Sequence, residues 1–510
     1  MKYLIHDGKK PLKICDSQRQ SIDFKLETSI AKTLITLAKA FPDALLIWCD
    51  EAYFDAVNHT ELPTIFHHNY IMASYAVSKK PYISDSIGYV EQSVFLKVNY
   101  EVTYPTWLMS SDVGGISAAF LSGVSNAIHP DENFNYFINS LAKLAMPKGV
   151  FCYSAPNLLK HSVALKTEAF QASNALMFKF VKQHYKWFWT LVLFVSFIIY
   201  EGKWPVVSFF KSIIYKRKTL DLPVVDVKTN LDTTVDRRMD VIIPTIGRAS
   251  YLGDVIKDLA AQSLLPIHVI IVEQNPEPDS TTALDFILEA SWPFQIKHIF
   301  THQTGACHAR NLALDLVESP WVFLNDDDNR FGSDLLETVF NKFEQYGIAS
   351  LITLYIQENE RLQFPFIHQT GIFGSGNSFV KTSVLKDVRF SKALEFGYGE
   401  DFDFGMQLRN KGVDVIYFPD IKITHLKAPT GGFRLPVKHV WDSEAIPPKP
   451  SPTIMYNYLR HYTHQQLLSY KFVLFLKLLK KTPFLAYRTY VKRFKAAWNA
   501  SVFWANTLEE

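Results

Sequence analysis

Three aspartates, Asp326, Asp327 and Asp328, follow the run "WVFLN". Adjacent carboxylates repel one another and persist most readily where a cation or a row of donors neutralises them. At the end of a buried strand such a cluster suits a divalent cation. The plainer alternative is an acidic turn. A second acidic pair, Glu400 and Asp401, follows a glycine turn and opens "GEDFDFGMQLRNKG". A carboxylate placed there can take a proton from an attacking hydroxyl. The plainer alternative is electrostatic capping of a helix N-terminus, where acids are favoured.

The elements that must carry these acids alternate between strand and helix. "MDVIIPTIGRASYLGDVIKDLAAQSL" reads as a buried strand (residues 241–243), a turn at Pro244, then an amphipathic helix. "IHVIIVEQNP" reads as a second strand ending in Glu273, and "TGACHARNLALDLV" as a glycine turn entering a helix. "SPWVFLNDDD" is the next strand, and "IYFPDIKITHLKAP" ends another at His425. This alternation predicts an α/β fold with a doubly wound, mostly parallel sheet. In such sheets ligands bind at the carboxyl ends of strands. Pro244, Glu273 and the three aspartates all fall at such ends.

The ordered set "VIIPTIGR", "VIIVEQ", "GACHARNLAL", "FLNDDD", "GSGNSFV" and "GEDFDFGMQLRNKG" resembles the family 2 glycosyltransferases of the GT-A fold, over about residues 239–427. The resemblance implies an inverting, metal-dependent, hexosyltransferase-like enzyme using a nucleotide-sugar donor. Asp326 and Asp328 then fit the DxD element. Asp326 reaches the nucleotide side and counts with Asp328 among the ligands of the cation, Mn or Mg rather than zinc, since the ligands are carboxylates. Asp327 allows a second register. Pro244, Thr245 and Arg248 would cradle the nucleotide, and Glu273 would accept from base or ribose. Arg310 and Asn311 would face the same cleft; Arg310 reads equally as a structural ion-pair partner of the aspartates. Asp401 would be the base and Glu400 would orient the acceptor. Gly376 and Asn377, in "GSGNS", allow close backbone approach to the sugar. His425 would add a metal or diphosphate contact, or be structural. "PTGGFR", at residues 429–434, would form a lid with Arg434 on phosphate.

The remaining sequence bounds the setting. At 510 residues, two or three domains are expected. We divide the chain into an N-terminal α/β domain of unassigned role (1–175), an aromatic and basic segment with linker (176–237), the transferase-like domain (238–434) and basic C-terminal helices (435–510). In the first of these, "LIWCDE" and "SSDVGG" read as ordinary strand-end turns. A net charge of +3 excludes a global nucleic-acid signal. Four widely spaced cysteines and an N-terminus without a basic-then-apolar leader point to a reducing, cytoplasmic setting. "WFWTLVLFVSFIIY" is uncharged but shorter than the roughly 20 residues a spanning helix needs. With its tryptophans and flanking lysines it is expected to lie in the cytoplasmic leaflet of the membrane. Residues 471–495 hold eight Lys or Arg and no acid, which also suits an anionic membrane surface. In both places internal packing is the alternative.

Together these readings predict a peripheral enzyme of polysaccharide biosynthesis on the inner face of the cell membrane, acting on a cell-surface or lipid-linked glycan. The competing readings are a non-catalytic sugar-nucleotide or glycan-binding scaffold and a nucleotidyltransferase. The "GEDFDF" segment after the aspartates favours the transferase over the last.

Overall fold

The computed structural model describes residues 1–124, 130, 133–160, 171–222, 226–230, 234–429, 438–480 and 487–508. It forms two compact units, residues 1–232 with 462–473, and residues 233–461 with 474–510.

The first unit holds β1 (Lys2–His6), β2 (Pro11–Cys15), β3 (Ser21–Ile22), β4 (Leu45–Asp50), β5 (Ile71–Tyr75), β6 (Tyr104–Pro105), β7 (Val113–Ser117) and β8 (Phe151–Ser154). They form one sheet in the order β3-β2-β1-β4-β7-β5-β8-β6. β1 and β4 alternate little because both faces are covered, so Leu4, Ile5, Leu46, Ile47 and Trp48 are all fully buried.

The second unit holds β9 (Met239–Thr245), β10 (His268–Gln274), β11 (Gln295–Thr301), β12 (Trp321–Asn325), β13 (Asn329–Phe331), β14 (Ser350–Ile356), β15 (His368–Thr370), β16 (Asn377–Lys381) and β17 (Val415–His425). Their order is β11-β10-β9-β12-β16-β14-β17-β13, with β15 also on β17. β11, β10, β9 and β12 are mutually parallel. β16 runs against both β12 and β14, and β14 is parallel to β17. Six strands therefore share one direction, which is the mostly parallel, doubly wound α/β sheet the sequence predicts. Ile242, Ile270, Val272, Val380, Phe404 and Leu408 lie in one core cluster of this unit.

One local expectation is corrected. Pro244 is not a turn but the sixth residue of β9, opposite Val272 of β10. Pairing of β9 with β12 ends at Ile242 opposite Leu324. The missing proline N–H therefore costs no ladder bond on that side.

The two sheets share a six-strand core. β1-β4-β7-β5-β8-β6 and β9-β12-β16-β14-β17-β13 have the same run of neighbours: parallel, antiparallel, antiparallel, parallel, antiparallel. Only the edge strand enters at a different point in the chain. Outside the core they diverge, with an antiparallel β2–β3 hairpin in one and parallel β10 and β11 in the other.

Among the described residues no helix is long and apolar enough to cross a membrane. The 14-residue helix Phe188–Glu201 ends at Gly202, whose φ of 64° is left-handed, and is followed by helix Val206–Ser212. At the C-terminus, helix Tyr487–Thr507 buries Phe494, Ala497 and Trp498 and leaves Arg488, Lys492 and Arg493 exposed. Part of its apolar side is buried, Val491 and Phe503 are exposed, and its basic side faces solvent. Lys481 lies outside the described residues.

Candidate active site

The apolar run of β12 is buried between β9 and β16 and ends at Asn325. The three aspartates then form the turn into β13, with Arg310 on the first and Arg248 between the other two. Arg310 Nη2 donates to Asp326 Oδ1 at 2.8 Å, and the Tyr355 hydroxyl lies 3.1 Å from Asp326 Oδ2. Asp327 is buried; Thr245 Oγ1 and Arg248 Nη1 donate to its two oxygens at 2.7 and 2.8 Å. Burial nonetheless pushes its carboxyl up to about 6, against the pull of Arg248 and Thr245. Asp328 is buried as well. Its Oδ2 accepts from the Ala428 N–H at 2.8 Å and faces Arg248 at 3.4 Å. Burial raises this carboxyl, but His425, the Ala428 N–H and Arg248 outweigh it and hold it below the usual range.

The opposite wall is built from glycines. Gly376 precedes β16, and a Cβ there would stand 2.2 Å from Asp326 Oδ2, so only glycine lets the two approach. Asn329 Nδ2 fixes this loop through Gly376 O at 2.7 Å. One residue earlier, the Ser375 N–H donates to Asp401 Oδ1 at 3.1 Å. The acidic pair is thus tied to the aspartate turn by two consecutive residues of one loop, Ser375 and Gly376.

Glu400 and Asp401 open helix Glu400–Asn410 after Gly399, whose φ is 111°. Asn457 Nδ2 bonds Gly399 O at 3.0 Å, and a side chain at 399 would collide with it. Asp403 tethers the same helix: His461 Nε2 lies 2.7 Å from its Oδ1, and Gln407 Nε2 donates to its Oδ2. Burial, then the charge of Asp401, pushes the Glu400 carboxyl up to about 7. Asp401 is also raised, by burial, while the Arg310 guanidinium and the Ser375 contact pull it back.

Other sequence candidates separate. His425, at the end of β17, stacks on the Tyr355 ring at 4.7 Å and sits 3.4 Å from Asp328 Oδ1. Glu273 lies opposite Thr245 in the β9–β10 ladder. Its carboxylate is taken up by Thr282 Oγ1, the Ala283 N–H and His298 Nε2. Asn377 turns its amide to Thr353 O. Asn311 clasps both backbone polar groups of Phe390. The proposed lid lies, from residue 430 on, outside the described residues. Sequence reasoning missed Tyr355, at the end of "SLITLYI", where period-two alternation could have marked a strand end. It also missed Glu395, which caps helix Ala306–Leu314 through the Cys307 and His308 N–H groups; nothing in its local sequence marks that role.

Among the described residues no three His, Cys, Asp or Glu side chains group as metal ligands. Two still fit a hard cation. Asp328 Oδ1 is buried with no hydrogen-bond partner among the described residues, and His425 Nε2 is its neighbour. Such a cation would need its other oxygens from a ligand such as a diphosphate.

Residues 240–394 match the family described as glycosyl transferase family 2. That segment spans β9 to β16, including the aspartate turn, and stops just short of Glu400. An uncharacterized glycosyltransferase of Rickettsia conorii (strain ATCC VR-613 / Malish 7) is 25% identical over 144 residues, 28% of this chain and 23% of that protein. The chain thus spans under a quarter of that relative. Solved structures similar to it include S. aureus TarS (20% identity, 36% of each chain, TM-score 0.30). S. aureus TarS 1-349 in complex with UDP-GlcNAc gives 16% identity over 46% of this chain and 70% of that one, TM-score 0.31. GalNAc-T7 with UDP, GalNAc and Mn2+ gives 10% identity over 37% and 43%, TM-score 0.31.

The first unit lacks several of the acids found at matching positions of the second. Its β4–β7 ladder ends with Cys49 opposite Val113, as β12–β16 ends with Asn325 opposite Asn377. Counting onward, Asp50 matches Asp326, but Ala52 stands where Asp328 does. Helix Phe134–Ala145 precedes β8 as Glu400–Asn410 precedes β17. Its second residue, Asn135, accepts from the Ser111 N–H at 3.1 Å, as Asp401 accepts from Ser375. Both serines lie two residues before the antiparallel strand. Phe134 and Asn135 thus occupy the two helix positions held by Glu400 and Asp401.

Proposed function

We propose that this chain is an inverting, divalent-cation-dependent glycosyltransferase. In this reading it moves a hexosyl group from a nucleotide sugar to a hydroxyl of a cell-surface or lipid-linked glycan. It does so on the cytoplasmic face of an anionic membrane, in polysaccharide biosynthesis. The observation that carries the proposal is the convergence of the Asp326–Arg310 pair, Gly376 and Asp401 beyond the carboxyl end of β12.

Asp401 accepts the proton of the acceptor hydroxyl as that oxygen attacks the anomeric carbon. Burial makes its carboxylate more basic than a free aspartate, and the Arg310 guanidinium pulls in the other direction. Glu400, protonated up to about pH 7, can donate a hydrogen bond to the acceptor. Thr245 and Arg248 hold Asp327 and shape the nucleotide side. Asp328 and His425 would hold the cation, which when bound neutralises charge on the leaving diphosphate.

The test is incubation of the full chain with UDP-, GDP- and dTDP-sugars, with and without Mn. Cation-dependent hydrolysis or transfer supports the proposal. Saturable binding without turnover supports a sugar-nucleotide-binding scaffold instead.

A further inference from the structure

Helices Asn174–His184, Phe188–Glu201 and Val206–Ser212 pack through one face. Phe178 meets Phe197 and Phe209 at 5.9 and 6.2 Å, and Phe194 meets Phe209 at 4.8 Å. The other face is exposed among the described residues. Trp187, Trp204, Phe210 and Ile214 are 71, 70, 62 and 76% exposed, and Leu191 and Ile199 are exposed beside them. So many exposed large apolar side chains on neighbouring helices are uncommon on a protein that meets only water. Its charge is lopsided. Residues 174–220 contain eight Lys or Arg and one acid, Glu201, which is bonded to Lys203 and Ser86.

At the N-terminal end of helix Phe188–Glu201 lies an open cleft of about 320 Å3, lined by Lys182, Tyr185, Lys186, Trp187, Phe188 and Arg217. It presents three cations, three aromatic rings and no carboxylate. Nearby Lys179 and Lys218 are placed over the Tyr136 ring, whereas the three cleft cations make no ion pair among the described residues. Its volume equals about ten waters at about 30 Å3 each. That is room for the ten heavy atoms of a glycerol phosphate. Arg217 can grip a phosphate through two parallel N–H bonds, and the lysines add point charges.

We propose that this cleft binds the phosphodiester headgroup of an anionic phospholipid while the exposed face of the 188–212 helices lies among the acyl chains. The inference rests on the reading of this chain as a membrane-surface enzyme and names the contact that docks it. Aromatic rings at the cleft mouth suit the headgroup level, and the apolar side chains beyond suit the hydrocarbon boundary.

The experiment is sedimentation of the full chain with vesicles of phosphatidylglycerol mixed into phosphatidylcholine, and of phosphatidylcholine alone. The wild type is expected to bind the mixed vesicles tightly at low salt and the neutral ones weakly. The variant Lys182→Gln/Lys186→Gln/Arg217→Gln should lose roughly a hundredfold of the anionic preference, since each cation at such a surface adds about 1 kcal/mol and a tenfold step is about 1.4 kcal/mol. Its weak binding to neutral vesicles and its circular dichroism should not change. Phe210→Ser/Ile214→Ser should instead abolish binding to neutral vesicles. If the triple variant binds mixed vesicles as the wild type does, the cleft is not the headgroup site, though the surface reading stands. If the wild type ignores all vesicles, both fall together. If glycerol phosphate binds the cleft in solution but vesicles do not, the ligand is a soluble phosphate and the lipid proposal is overturned.

Discussion

Replacing Glu400 by glutamine should stabilise the protein at neutral and alkaline pH. Glu400 is 8% exposed, and burial with the adjacent Asp401 charge raises its carboxyl from 4.5 to about 7. A raised carboxyl favours the fold only while protonated. Below the unfolded value of 4.5 both states carry the proton, and the group costs nothing. Between there and about 7 the unfolded chain ionises first, so wild-type stability falls by about 1.4 kcal/mol per pH unit. Above that the penalty is constant, at up to about 3 kcal/mol. An amide can keep the contacts of the protonated acid without this penalty. Urea unfolding of wild type and Glu400→Gln should therefore agree at about pH 4.5 and diverge by about 1–3 kcal/mol at about pH 8, the variant being the more stable. Adding Asp401→Asn to both should shrink the difference, because Asp401 supplies part of the shift. A gap that does not grow with pH, or a variant less stable at about pH 8, refutes this account of the acidic pair.

Three further outcomes follow from the same geometry. Asp401→Asn should lower turnover by at least about a hundredfold with donor affinity nearly unchanged, since a base acts in the transition state. Equal losses in both, measured by steady-state kinetics and donor titration, would assign it to donor binding. No residual activity should survive from the first unit, where Ala52, Phe134 and Asn135 stand at the matching positions. Gly376→Ala puts a carbon 2.2 Å from Asp326 Oδ2 and 3.1 Å from the Tyr355 hydroxyl. It should cost about 1–3 kcal/mol of stability and break the Arg310–Asp326 pair. Thermal unfolding and donor affinity both unaffected would contradict that.

Much of the second sheet was legible because its strands end on unlike residues. β10, β12 and β17 are apolar runs closed by Glu273 and Gln274, by the aspartates and by His425. The glycine before Glu400 marks the start of its helix. What stayed hidden depends on pairing across long separations. Arg248 and Asp327 are 79 residues apart, and nothing near either announces the other. β11 was missed because its seven residues are all half-buried or exposed, so it carries no apolar signal. The reversed direction of β16 is set by its neighbours and not by its composition. The shared strand order of the two sheets is only hinted at by "LIWCDE" and the α/β pattern of the first, for a chemical reason. The acids that make the second recognisable are Ala52, Phe134 and Asn135 in the first, while the strand order that unites them leaves no motif.

The central claim is that the aspartate turn and the Glu400–Asp401 pair form one cation-assisted transfer site. Nucleotide release from a matched donor, measured with and without Mn for wild type, Asp328→Asn and Asp401→Asn, tests it most directly. We expect Mn-dependent release by the wild type, none by either variant, and donor affinity lost in Asp328→Asn but kept in Asp401→Asn. Release that is independent of Mn and equal in all three proteins would contradict it.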